Sequence, residues 1–114
     1  MIAVIFEFTP APGKTADYFS LATALKADVE NFDGFISIER FESVTQSGKF
    51  VSLSFWRDEE AVRAWRNLEN HRAAQARGRG GVFADYRLRV ASVMRDYDMN
   101  SRDAAPADSR QAHG

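Results

Sequence analysis

The amino-acid sequence predicts an α+β domain in which one four-stranded antiparallel sheet carries two helices on one face. The first observation is the order of the segments. Strand-like and helix-like segments alternate as β-α-β-β-α-β, which is the split-βαβ, ferredoxin-like order. The second observation is size. A chain of 114 residues, 45% hydrophobic and 27% charged, fits one domain with one core.

The first half of the chain predicts one strand and one helix. Residues 2–9 are rich in β-branched and aromatic residues, and the strand should stop at Pro10 and Pro12, because proline lacks the ladder donor. Residues 13–31 have helical periodicity, and Asp33-Gly34 marks a turn. The apolar stripe of this helix comprises Tyr18, Leu21, Ala22, Leu25 and Val29.

Residues 35–42 and 50–56 predict a β-hairpin joined by a polar turn. Alternation in the first strand places Ile36 and Ile38 on one face. The second strand alternates more clearly, since one face carries Val51, Leu53 and Phe55 and the other carries Phe50, Ser52, Ser54 and Trp56.

The second half predicts a helix and a long strand. The helix runs from Asp58 to about Arg77, and the strand runs from Val82 to about Met94 with Tyr86, Leu88 and Val90 facing inward. Residues 98–114 have no apolar period, so we expect a disordered tail after a domain of residues 1–97.

The composition narrows the function classes. A net charge of −1 favours neither nucleic acid nor an anionic membrane as partner. With no cysteine, disulfides and thiolate metal sites are excluded. The first strand is too short for a membrane span, so a cytoplasmic protein is expected. Apolar residues on both faces of the sheet predict a homodimer in which two sheets pack together.

The charges are unevenly placed. Residues 57–97 contain nine arginines and six acidic residues. This excess is consistent with a local site for an anionic ligand, and equally with solvated faces and ion pairs.

The second helix carries the candidate site. Trp65, Leu68 and His71 lie along one side of it. An imidazole titrates near neutral pH and is a candidate base, although it also serves to cap carbonyl groups. Glu7 lies between two phenylalanines, so it either faces inward or pairs with an arginine of a neighbouring strand.

Several segments resemble the antibiotic biosynthesis monooxygenase family of small dimeric α+β barrels. The first strand ends in Pro-x-Pro-Gly, and Ala64-Trp65 precedes His71. Three longer stretches also match, namely Asp33-Gly-Phe-Ile-Ser-Ile-Glu-Arg-Phe-Glu42, Ser52-Leu-Ser-Phe-Trp56 and Phe83-Ala-Asp-Tyr-Arg-Leu-Arg-Val90. The resemblance spans residues 1–97 and implies the same dimeric fold.

The resemblance implies a monooxygenase that oxidises a small aromatic or quinol-type substrate with O2 and needs no cofactor or metal. Such an enzyme binds a flat molecule, assists its ionisation and keeps O2 in a dry site. We expect His71 to be the catalytic base and the substrate to contact Phe6, Trp65, Leu68 and Tyr86. The alternative is a dimeric module that binds a small molecule or haem without turnover.

Haem-degrading members of the family are a poorer match. They carry an asparagine on the first strand, a tryptophan on the second helix and an iron-ligating histidine about ten residues later. Trp65 matches the tryptophan, but Gln75 stands where the histidine is expected, and the first strand offers Phe6 or Glu7. The resemblance therefore implies weak or absent haem binding.

Overall fold

The computed structural model describes the backbone of residues 1–75 and 81–114 and the side chains of residues 1–69 and 81–114. The predicted β-α-β-β-α-β order is confirmed, with one short helix added after it. The elements are β1 (Ile2–Pro10), α1 (Thr15–Glu30), β2 (Phe35–Glu42), β3 (Phe50–Trp56), α2 (Glu59–Gln75), β4 (Phe83–Ser92) and α3 (Ala107–His113).

The four strands form one sheet in the order β2-β3-β1-β4, and every neighbouring pair is antiparallel. Val4 lies opposite Ser54 on one side and Val90 on the other. Because residues directly opposite each other share a sheet face, this register fixes the residues on the helix side. On β1, β3 and β4 they are Ile2, Val4, Phe6, Phe8, Phe50, Ser52, Ser54, Trp56, Tyr86, Leu88, Val90 and Ser92, and on β2 they are Phe35, Ile38, Arg40 and Glu42.

The helices bury their apolar stripes against this side. Tyr18 and Val29 of α1 are buried, and Leu25 packs partly buried beside them, as the periodicity predicts. From α2, Ala61, Val62 and Trp65 join Val29 and Trp56 in the core. Burying such large aromatic and aliphatic side chains is the dominant favourable contribution to folding.

A bulge at the start of β2 corrects one sequence prediction. Phe35 pairs with Trp56 and Ser37 pairs with Phe55, so Ile36 is an extra residue in the ladder. Phe35 and Ile38 therefore pack on the core, while Ile36 is 49% exposed. The expectation that Ile36 and Ile38 share a face is wrong, because the bulge shifts the alternation by one residue.

A tight corner joins the α1–β2 connection to the β3–α2 connection. Gly34 has φ +88°, a conformation that glycine adopts without strain, and its carbonyl accepts the Arg57 N–H at 2.7 Å. The Arg57 guanidinium donates to both carboxylate oxygens of Asp33, at 3.0 and 3.2 Å. Asp58 caps α2, since its Oδ1 accepts the Ala61 N–H at 2.9 Å, a typical N-cap contact.

The second face of the sheet carries apolar side chains that the two long helices do not cover. Ile5, Val51, Leu53 and Phe55 are half-buried, and Phe41 is 44% exposed. Glu7 lies on this face opposite Arg87 and accepts a hydrogen bond from Arg89 at 2.7 Å. The interpretation that Glu7 pairs with an arginine is confirmed.

The C-terminal segment differs from the coil expected of its composition. It contains α3 and an Arg102 side chain that donates to the Gly114 carbonyl at 2.7 Å and to the Ser109 hydroxyl at 2.7 Å. Asp98 accepts the N–H groups of two residues that follow it. These contacts lie within the segment itself, and the domain boundary after residue 97 stays a prediction.

Candidate functional site

Trp65 belongs to an aromatic cluster at one end of the helix side. Its ring centroid lies 5.3 Å from that of Phe32 and 6.0 Å from that of Trp56. Trp56 is buried and its indole N–H donates to the Ser54 hydroxyl at 2.9 Å. Leu68 packs partly buried against the same core. The described atoms around Trp65 are therefore those of a packed core, with its side chain 8% exposed.

Phe6 and Tyr86 belong to a second aromatic cluster. Their ring centroids are 5.6 Å apart, and Phe83 lies within 6 Å of both, at 5.3 and 5.9 Å. Tyr86 lies on the helix side of β4, as alternation predicts. This position does not bury it, since Tyr86 is 62% exposed. It stands on an edge strand, whose helix side remains open.

A groove lies between α2 and β4. It has a volume of about 490 Å³ and is lined by Glu59, Glu60, Val62, Arg63, Arg66 and Val90. Leu88 and Tyr86 continue the apolar side of β4 beyond Val90. Leu88 is 51% and Val90 43% exposed. Together they form an apolar floor that no described side chain covers.

The groove extends toward Tyr86, because α2 runs in that direction. Both β3 and β4 are antiparallel to β1, so they run parallel to each other, and the helix that connects them runs in the opposite direction. Its first turns lie beside Val90, and its later turns extend toward the start of β4. His71 lies in these later turns, and its side chain is outside the described residues, so the predicted pocket shared with Trp65 stays a prediction.

Sequence reasoning missed a polar pair on the helix side. The Arg40 Nε donates to the Tyr18 hydroxyl at 3.0 Å, and the guanidinium lies 5.8 Å from the centre of the Tyr18 ring. Arg40 pairs with Ser52 in the ladder, and Ser52 is buried. The signal was available, because Arg40 is two residues after the core residue Ile38 and so shares its face.

Two carboxyl groups have shifted pKa values of opposite sign. The hydrogen bond from Arg89 lowers the pKa of Glu7, so this carboxyl is a poor proton acceptor. Removal of water by neighbouring protein atoms raises the pKa of Glu69 on α2, although the residue as a whole is largely exposed, and the charge of Arg40 opposes the shift. Glu69 is not among the residues that line the groove between α2 and β4.

Neither a metal site nor a membrane-spanning helix is found in the described part of the chain. Among the side chains of residues 1–69 and 81–114, no cluster of three histidine, cysteine, aspartate or glutamate residues is arranged to hold a metal ion. Within the same part of the chain, the helices are too short or too polar to cross a bilayer.

Comparison with known proteins places these features in a family. The profile of the family described as "Antibiotic biosynthesis monooxygenase" matches residues 1–77. A fungal protein named "Jasmonate monooxygenase ABM", from Pyricularia oryzae, is 45% identical over 93 residues, which are 82% of this chain and 43% of the fungal protein. The chain thus spans less than half the length of this relative.

Solved structures agree on the fold. Rv0793 from Mycobacterium tuberculosis superposes with a TM-score of 0.71 at 21% identity, covering 85% of this chain and 98% of that one. The haem degrader MhuD from the same organism, with two haems bound, gives 0.65 at 22% identity over 86% and 100%. SnoaB, a cofactor-independent oxygenase from Streptomyces nogalater, gives 0.63 at 15% identity over 83% and 94%.

Proposed function

Because the chain belongs to the antibiotic biosynthesis monooxygenase family, we propose that it is a cofactor-independent monooxygenase that oxidises a small aromatic or quinol-type molecule with O2. The observation that carries the proposal is the groove between α2 and β4. It combines exposed apolar side chains of β4 with charged side chains of α2 along one wall. Binding sites for small organic molecules commonly combine these two features.

In this reaction the protein binds the substrate and accepts a proton, and the substrate itself reduces O2. An anthrone-type substrate first loses a proton, which makes its ring electron-rich enough to reduce O2. One oxygen atom of O2 then becomes the new carbonyl oxygen of the quinone. The other leaves as water with the two hydrogens of the oxidised carbon. The protein contributes orientation on the apolar floor and a base that takes the first proton.

His71 is the proposed base, and Tyr86 and Phe6 are the proposed aromatic contacts of the substrate. Tyr86 and Phe6 are in ring contact at 5.6 Å on the helix side, and α2 carries His71 toward this end of the sheet. Trp65 and Leu68 of α2 pack in the core. Their proposed contact with the substrate therefore requires the substrate to approach along the later turns of this helix.

The proposed active form is a homodimer. The uncovered second face of the sheet has half-buried aliphatic and aromatic side chains beside the Glu7–Arg89 ion pair. Packing two such faces would remove the apolar area from water, which favours association. We place the dimer in the cytoplasm, in keeping with a chain that has no cysteine.

The test is oxygen uptake with a panel of quinols and anthrones under air, in wild type and His71→Ala. If His71 is the base, the rate should rise with pH through about 6–7, where an imidazole loses its proton. His71→Ala should lower the rate about 100-fold or more without changing the melting temperature. Tyr86→Phe is a matched control, since it keeps the ring but removes the hydroxyl, and should chiefly change KM.

Equal oxygen uptake in wild type and His71→Ala would remove His71 from the mechanism. Binding of the same aromatics without oxygen uptake in either protein would instead support the non-catalytic binding module.

A further inference from the structure

The groove between α2 and β4 is amphipathic. Its floor consists of the helix-side residues of β4, of which Leu88 is 51% and Val90 43% exposed. Its wall consists of Arg63 and Arg66 together with Val62 of α2. Large exposed apolar side chains in a row mark a binding surface more often than a solvated one.

The two arginines of the wall have no carboxylate partner within the described part of the chain. Arg57 and Arg89 each pair with an acid, at 3.0 Å to Asp33 and 2.7 Å to Glu7. No ion pair or hydrogen bond of the described residues involves the side chain of Arg63 or Arg66. Their guanidinium groups are therefore available to a ligand.

The spacing of the two arginines suits a carboxylate. Residues three apart on a helix are neighbours on its surface, with Cβ atoms about 5–6 Å apart, so both guanidinium groups can reach one anion. A guanidinium donates two parallel N–H groups to a carboxylate, which gives direction as well as charge.

The acidic residues of the wall fix the orientation. Glu59 and Glu60 lie in the first turn of α2, beyond Arg63 toward the end of the groove. They repel an anion placed at that end. A bound carboxylate is thus directed to Arg63 and Arg66, and the rest of the ligand extends along Leu88 toward Tyr86.

From these observations we infer that the groove selects a small organic acid: its carboxylate is held by Arg63 and Arg66, and its apolar body lies on Val90 and Leu88. The inference rests on the proposed function, because it names the substrate class of the same groove. It also gives a role to the excess of arginine that the sequence shows in residues 57–97.

Binding of 2-naphthoate and of its neutral isostere 2-naphthamide to the full chain tests the inference, by isothermal titration calorimetry at low salt. Wild type should bind the acid about tenfold more tightly than the amide, since each exposed charged contact adds modestly to the affinity. The preference should fall when NaCl is raised to about 500 mM, because salt screens exposed charges.

The variant Arg63→Gln/Arg66→Gln should bind the acid as weakly as the amide, with affinity for the amide unchanged. Arg63→Lys/Arg66→Lys keeps the positive charges but removes the two parallel N–H groups of each guanidinium, and should retain part of the preference. Arg110→Gln on α3 removes one positive charge from an exposed residue outside the groove and should leave both affinities at their wild-type values.

The inference is overturned if wild type does not distinguish the acid from the amide, or if the double glutamine variant keeps the preference. These outcomes are separate from the fate of the proposed function. Selective acid binding without oxygen uptake refutes the monooxygenase and keeps the organic-acid site. Oxygen uptake with neutral quinols, in a protein that does not prefer the acid to the amide, refutes the organic-acid site and keeps the monooxygenase.

Discussion

Replacing Gly34 by alanine tests the corner on which both helices depend. Gly34 has φ +88°, and a Cβ built on it would lie 2.5 Å from the Cβ of Ala61. Two carbon atoms at rest are about 3.5–4.0 Å apart, so the turn or α2 must move. The same turn accepts the Arg57 N–H and lies beside the ion pair of Arg57 with Asp33.

The expected loss of stability has two parts. A non-glycine residue in the left-handed region costs about 1–2 kcal/mol, and forcing an extra methyl group into a filled space costs about 1–3 kcal/mol more. The Gly34→Ala variant should therefore unfold with a free energy about 2–5 kcal/mol lower than wild type. For a chain of this size about 1 kcal/mol corresponds to about 4 °C, which predicts a melting temperature lower by about 8–20 °C.

Gly48→Ala is the matched control, because it separates the two parts. Gly48 has φ +81° and nothing lies within 4 Å of a Cβ built on it. Its substitution should cost only the conformational part, about 1–2 kcal/mol. Urea unfolding of wild type and both variants, followed by far-UV circular dichroism, measures the two free energies and their difference.

Removing the opposing methyl group completes the test. Ala61→Gly alone should destabilise the protein by up to about 1 kcal/mol, the usual loss for glycine in a helix. In the Gly34→Ala background the same change should be neutral or stabilising, because it relieves the overlap. If Gly34→Ala costs no more than Gly48→Ala, the tight contact between the corner and α2 does not exist and the reasoning fails.

Two further predictions concern the ends and the charges of the fold. Deleting residues 99–114 should leave the melting temperature nearly unchanged, because the hydrogen bonds of α3 stay within the C-terminal segment; a drop of more than about 5 °C would show that the segment docks on the domain. The pKa of Asp58 is lowered by the Ala61 N–H and by Arg57, and that of Asp33 by Arg57. Carboxyl groups with lowered pKa values contribute stability above their ordinary value of 3.8, and it is lost as the pH falls below that value. Arg57→Ala should therefore lose less stability than wild type between pH 7 and pH 3 in urea titrations, and an equal loss would contradict this role.

The order of the elements could be predicted from local patterns, since each of them is a local property of the chain. The alternation of side chains along residues 50–56 predicted which of them share a face of β3. The register places Ser52 and Trp56 on the helix side as expected. Proline and glycine marked the ends of elements, because they restrict or free the backbone irrespective of what packs on them. The bulge at Ile36 could not be predicted in this way, because it depends on how β2 pairs with β3.

The candidate site was only partly accessible from the sequence. Trp65 and Tyr86 were both identified as aromatic residues on the correct sides of their elements. Which of them is exposed follows from the tertiary structure, since Trp65 packs from α2 into the core whereas Tyr86 lies on the edge strand β4. Arg40 was overlooked because its partner Tyr18 is 22 residues away, a separation that no local pattern spans.

The sequence by itself determined the family, the order of the four strands and two long helices, and the stripes that these helices bury, because these depend on residue type and spacing within one segment. The tertiary structure alone decided that β4 is an edge strand with an uncovered apolar side and that Arg63 and Arg66 stand beside it without an acidic partner among the described residues. Exposure and charge pairing depend on the distances between segments, and those distances exist only once the chain has folded.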